Sequence, residues 1–133
     1  MAKKICLNLS GHPVPFQKIR DYIMLSAPFQ IPVDALKNPT EMKKFCLGVM
    51  ENLCRSEKNL VEAGQRGKLA LIPPGLSSAS LIVCSIIHGY FGHFPKVFWS
   101  YRSEDGFKYT DIALDLQTIR EFSRVERPYL VNK

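Results

Sequence analysis

Short apolar runs alternate along this chain with longer stretches whose apolar residues recur at helical spacing. Lys4–Leu9 (KICLNL) predicts a largely buried first strand, halted by the turn formers Ser10-Gly11-His12-Pro13. Pro15–Met24 then reads as a helix, with Pro15 in its first turn and Phe16, Ile19 and Ile23 on one face. Phe29–Val33 alternates and predicts a second strand, which Pro32 would confine to an edge or a bulge. From Thr40 to about Ala63, Met42, Phe45, Cys46, Val49, Met50, Leu53 and Leu60 keep helical spacing behind the cap signal Asn38-Pro39-Thr40. Gly64 and Gly67 end that helix, and Lys68–Ile72 is a short buried strand.

The second half repeats the pattern. Pro73-Pro74-Gly75-Leu76-Ser77-Ser78 is a loop, and Ala79–Phe91 a helix closed by Gly92-His93-Phe94-Pro95. Lys96–Arg102 is rich in strand formers, Glu104-Asp105-Gly106 is a turn, and Tyr109–Asp115 reads as a last strand. A final helix runs from Leu116 to about Val125, and Arg127–Lys133 reads as a loose tail. Strands alternating with helices predict one Rossmann-like α/β domain over residues 1–133, a mostly parallel sheet with helices on both faces. No internal repeat or low-complexity segment interrupts it.

Composition changes this picture little. Of the 133 residues 46% are hydrophobic and 23% charged, as in an ordinary globular domain. The longest apolar stretch, Leu81 to Ile87, falls far short of the roughly 18 residues of a membrane span. The N-terminus shows no secretory signal, so the expected location is the cytoplasm, without a membrane partner. Cys6, Cys46, Cys54 and Cys84 lie in apolar stretches with no C-x-x-C pair, which reads as buried thiols in a reducing compartment. The net charge of +6 favours anionic partners, or simply a solvated basic surface, because the cations are dispersed.

In an open α/β sheet, ligands bind beyond the carboxyl ends of the strands. Two loops hold that place, Ser10-Gly11-His12-Pro13 and Pro73–Ser78. In the second, Gly75 permits close backbone approach, and Ser77 and Ser78 stand where free N–H groups and the positive helix end favour a phosphate. On local sequence alone the same residues read first as turn and cap, Ser77 capping the helix behind the Pro73-Pro74 turn. The chain has neither G-x-G-x-x-G nor G-x-x-x-x-G-K-[ST], which speaks against an ordinary dinucleotide or P-loop site. His12 could hydrogen-bond a base or phosphate, serve as acid or base, or have no role. His88 and His93 read as structural, His93 as a helix cap, about 20 Å from Ser77 along the helix. No H-E-x-x-H occurs and the two candidate loops hold no paired carboxylates, so neither metal, cofactor nor catalytic residue is expected. Cleavage of RNA by its own 2′-hydroxyl escapes that argument, since it needs only positioning and charge stabilisation.

Pro73-Pro74-Gly75-Leu76-Ser77-Ser78-Ala79, followed after a helix by His88-Gly89-Tyr90-Phe91-Gly92-His93-Phe94-Pro95, resembles the Csx-fifteen family, small stand-alone accessory proteins of type III CRISPR loci. Leu7–Pro13 and Asp115–Arg120 are similar too, whereas Asp34–Gly67 contributes little. The resemblance implies a CRISPR-associated Rossmann (CARF) fold that forms a homodimer or higher assembly and binds a cyclic oligoadenylate, above all cyclic tetra-adenylate, across its two-fold axis; DNA is not an expected partner. It assigns Ser10, Gly11 and His12 from the first loop to the ligand, with Pro74, Gly75, Leu76, Ser77 and Ser78 from the second. A sensor without an effector domain would either sequester the messenger or, as a metal-independent ring nuclease, degrade it.

Overall fold

A computed structural model describes residues 3–14, 19 and 21–131. Its sheet has five strands in the order β2-β1-β3-β4-β7. Strand β1 (Ile5–Asn8) lies between β2 (Ile23–Ser26) and β3 (Leu69–Ile72), parallel to both, with Ile5 opposite Ile23 and Leu69. Strand β4 (Lys96–Val97) continues parallel to β3, and β7 (Leu114–Asp115) closes the edge antiparallel. The fold is therefore α/β with a mostly parallel sheet. A separate ribbon pairs β5 (Ser100–Ser103) with β6 (Gly106–Tyr109).

The unbroken apolar runs of β1 and β3 follow from burial on both faces. Side chains alternate across a strand, so Ile5, Leu7, Leu9, Leu69 and Leu71 turn to one side, and Cys6, Ala70 and Ile72 to the other. On the first side lie α2 (Pro39–Ser56), α3 (Lys58–Gln65) and α4 (Ser77–Phe91), which add Cys46, Met50, Leu60, Val83 and Ile87 to the larger core. Asn38 starts α2 by accepting the N–H groups of Thr40 and Glu41, with Pro39 at the first helical position. Helices were expected on both faces. On the second face the described residues that pack together are Val14, Ile19, Tyr22, Phe98, Tyr109 and Ala113, while residues 15–18 and 20, within the helix expected after β1, lie outside the described residues. All four cysteines are free, and burial raises every thiol, that of Cys6 to about 12, which suits packing and not nucleophilic chemistry.

Several expected elements shift. The helix over Pro15–Met24 lies partly outside the described residues, at 15–18 and 20. Its last two residues are strand: the Ile23 N–H bonds the Lys4 carbonyl at 2.9 Å, and Asp21 at φ +70 breaks any helix before it. Sheet pairing with β1 overrides the helical spacing. Phe29–Val33 forms no strand, because Pro28 and Pro32 withhold ladder donors. Val33 opens the single turn α1 (Val33–Leu36), and Phe29 packs edge-on against Phe45. The long helix breaks at Glu57 (φ −116, ψ 89). Lys96–Arg102 divides between β4 and β5, and Tyr109–Asp115 between β6 and β7.

The last helix, α5 (Leu116–Val131), outruns its expected end and passes through Pro128, so most of the supposed tail is helical. Asp115 starts it: Oδ1 accepts the N–H groups of Gln117 at 3.1 Å and Thr118 at 3.3 Å. Desolvation works to raise this carboxyl, but the bonds from Thr118 and Gln117 and the nearby Lys96 charge outweigh it and hold it below the usual carboxylate value. A folded-state value below the unfolded one gives stability that is present at neutral pH and disappears as pH falls through the folded value. Asp115→Ala should thus destabilise by about 1 kcal/mol at pH 7. Urea unfolding should show the gap from wild type closing in acid, below the normal carboxylate range.

Candidate functional site at the strand ends

β1 and β3 end side by side. The Leu9 N–H still bonds the Ile72 carbonyl at 3.0 Å, so the loops after the two strands leave the sheet as neighbours. The first loop is organised by Asn8, the one buried polar side chain among the described residues, at 2% exposure. Its Nδ2 donates to the His12 carbonyl at 2.7 Å and to Ser26 Oγ at 3.2 Å. Its Oδ1 accepts the Ser10 N–H at 3.0 Å and the Ser10 hydroxyl at 2.6 Å. Every donor and acceptor site of the amide that burial would penalise is thereby engaged. Gly11, at φ +80, supplies the left-handed residue that lets the loop close on Asn8.

The Ser10 hydroxyl is therefore directed at Asn8, whereas the His12 side chain stands exposed at the rim. With Ser26 and Pro28 from the end of β2, Asn8, Gly11 and His12 line a groove of about 400 Å³. That volume lies within the range of small-ligand sites. No Lys or Arg lines it, so the +6 net charge is not focused there. Asn8 did not figure among the expected site residues. The signal was an amide inside an apolar run, two residues ahead of Ser10-Gly11. Asn8→Asp keeps the size and the oxygen facing Ser10, but sets an oxygen against the His12 carbonyl. It should cost about 2–3 kcal/mol in urea unfolding.

The second loop leads into α4. Pro74 is buried, and the Ser80 hydroxyl holds its carbonyl at 2.9 Å. Gly75, Leu76, Ser77 and Ser78 are exposed. The N-cap is Leu76 (φ −101, ψ 125), which offers no side-chain cap, so Ser77 is the first helical residue and does not cap the helix. The first helical bond runs from the Ser80 N–H to the Leu76 carbonyl at 3.0 Å. The N–H groups of Ser77 and Ser78 precede it and have no protein acceptor among the described residues. The strand ends thus place the eight expected residues on two neighbouring segments, Ser10–His12 and Pro74–Ser78, the last two residues belonging to the first turn of α4. The groove itself takes in Gly11 and His12 and none of Pro74, Gly75, Leu76, Ser77 or Ser78.

The remaining histidines lie at the other end of α4. The His88 ring packs against Phe94 with centroids 4.4 Å apart. Gly92 at φ +81, and not His93, forms the C-cap, its N–H bonding the His88 carbonyl at 2.8 Å. His93 Nε2 is buried without a hydrogen-bond partner among the described residues. No three His, Cys, Asp or Glu side chains cluster as metal ligands among those residues.

Fold and site together define an α/β protein with an open, mostly parallel sheet and uncovered loops at its carboxyl edge. Against models of protein families, curated proteins and solved structures, the chain matches none. No helix among the described residues is long and apolar enough to cross a membrane.

Proposed function

We propose that this protein binds a cyclic oligoadenylate, cyclic tetra-adenylate foremost, at its two strand-end loops and sequesters it as a homodimer, damping a type III CRISPR signal. The observation that carries the reading is the uncapped start of α4. Exposed N–H groups at Ser77 and Ser78, beside the open Gly75, offer donors and a positive helix end to a phosphate. The adjoining groove, with the His12 ring at its rim, would take the base or ribose. A ring of four phosphates has the symmetry of a paired subunit, so one set of loops per chain serves it. The Csx-fifteen resemblance of Pro73–Ala79 and His88–Pro95 supplies the ligand class.

The exposed His12 ring favours one rival, a metal-independent ring nuclease. There the ligand's own 2′-hydroxyl attacks the adjacent phosphorus and the 5′-oxygen leaves. His12 takes up the hydroxyl proton, water protonates the departing 5′-oxygen, and the product is linear with a 2′,3′-cyclic phosphate end. The test is a thermal-shift screen of rings of three, four and six adenylates, followed by incubation of labelled ligand with excess protein in EDTA. Sequestration predicts a clear rise in Tm with cyclic tetra-adenylate, by mass action, and intact ligand after hours. Linear products, full-length or shortened, that vanish in His12→Ala select the nuclease. No shift with any ring refutes both.

A further inference from the structure

Helix α5 carries an apolar seam that no described part of the chain covers. Ile119, Phe122, Val125, Tyr129 and Leu130 are all exposed, Tyr129 by 74%, and every residue from Glu121 to Leu130 is exposed. Ile119, Phe122 and Tyr129 fall at heptad core spacing, and Glu126 takes the fourth place in that row. Only the base of the helix is held, by Asp115 and by Gln117 Oε1, which accepts the Phe94 N–H at 3.0 Å. A helix of 16 residues is marginal without packing. An acid in the middle of an apolar seam is costly to bury unless a cation meets it.

The complementary surface lies elsewhere on the same molecule. A groove of about 530 Å³ runs between α2 and α4, lined by Pro39, Lys43 and Leu47 from one and Leu81, Ile82 and Ser85 from the other. Leu81 is 71% exposed there. Its one charged lining residue is Lys43, flanked a turn away on either side by Pro39 and Leu47. The ion pairs among the described residues are Lys44–Glu41, Arg55–Glu51 and Lys108–Asp105, so neither Lys43 nor Glu126 has a partner there. An apolar helix face with one central acid thus matches an apolar groove with one central base.

We propose that the α5 seam of one copy lies in the α2–α4 groove of a second copy, Glu126 meeting Lys43 across the contact. This is helix-in-groove recognition between copies of the same chain. Seam and groove are different surfaces, so the contact is heterologous. Each added copy presents a fresh groove and a fresh helix, and assembly continues to a ring or an open chain. The contact needs no nucleotide and stands apart from the strand-end loops.

Sedimentation velocity of the full chain without nucleotide, over a wide concentration range, tests it. Wild type should grow in mass with concentration beyond a dimer. Glu126→Lys and Lys43→Glu should each weaken association roughly 100-fold. The charge-swapped double variant, and an equimolar mixture of the two single variants, should recover it. Both positions are exposed, so circular dichroism should show all variants folded. Single variants that associate like wild type, or a double variant no better than the singles, overturn the proposal. So does a wild-type mass that never rises with concentration. In that last case, flotation of the protein with phosphatidylserine vesicles would reassign the seam to a lipid surface.

Discussion

Gly75→Asp should abolish binding of cyclic tetra-adenylate while leaving the protein folded. Gly75 is exposed, its φ is ordinary, and an added Cβ meets no atom within 4 Å. Nothing in the loop therefore resists the side chain. A carboxylate just ahead of α4 is favourable to the helix, by about 0.3–1 kcal/mol. Tm should hold or rise slightly. The same carboxylate takes the place meant for a phosphate, and like charges brought together across an interface cost several kcal/mol. Calorimetry should show affinity falling by more than about 100-fold, with Gly75→Ala close to wild type. Equal affinity in Gly75→Asp and wild type would remove the second loop from the site.

The other large effect is structural. Gly64, on α3, faces the ring of Phe91 at the end of α4. A Cβ there would lie 2.5 Å from Phe91 Cε2 and 2.6 Å from Cδ2 and Cζ. Gly64 is buried among core residues of that helix layer, so the ring must be displaced for any larger side chain to fit. Gly64→Val should cost about 3 kcal/mol by overpacking, which corresponds to a fall of roughly 10 °C in Tm for a chain of this size. Phe91→Ala in the same background should recover more than half of that loss, although it is destabilising alone. A thermal double-mutant cycle reads the coupling directly. Strict additivity would show that the two helices do not meet as described.

Parts of this architecture were open to reading from residue order, for identifiable reasons. β1, β3 and α4 are buried runs bounded by strong punctuation, Ser-Gly-His-Pro, Pro-Pro-Gly and Gly-His-Phe-Pro, so both loops at the carboxyl edge could be placed. β2 could not. Ile19 and Ile23 share helical spacing, and only pairing with β1 decides that Ile23–Ser26 is extended. Pro28 and Pro32 removed the alternative strand by withholding donors, a cue that the alternation of Phe29–Val33 masked. The last helix was expected to end near Val125, yet α5 runs on through Pro128 to Val131. The bare start of α4 was ambiguous because serine at such a position is either cap or first helical residue. Backbone geometry at Leu76 decides between them. Asn8 escaped notice because its role depends on Ser26, which folding alone brings near.

The sheet is lopsided. β1 and β3 contribute four buried residues each and β2 four more at the half-exposed opposite edge, whereas β4 and β7 contribute two apiece. Local opening starts where few hydrogen bonds and little apolar contact must be given up. The β4–β7 edge, with α5 hanging from it, is thus the part of the domain that breathes first, and its amides should exchange with solvent long before those of β1 and β3. The strand-end loops are rooted in the slowly opening half, so the molecule can loosen and reseat its arm without disturbing them.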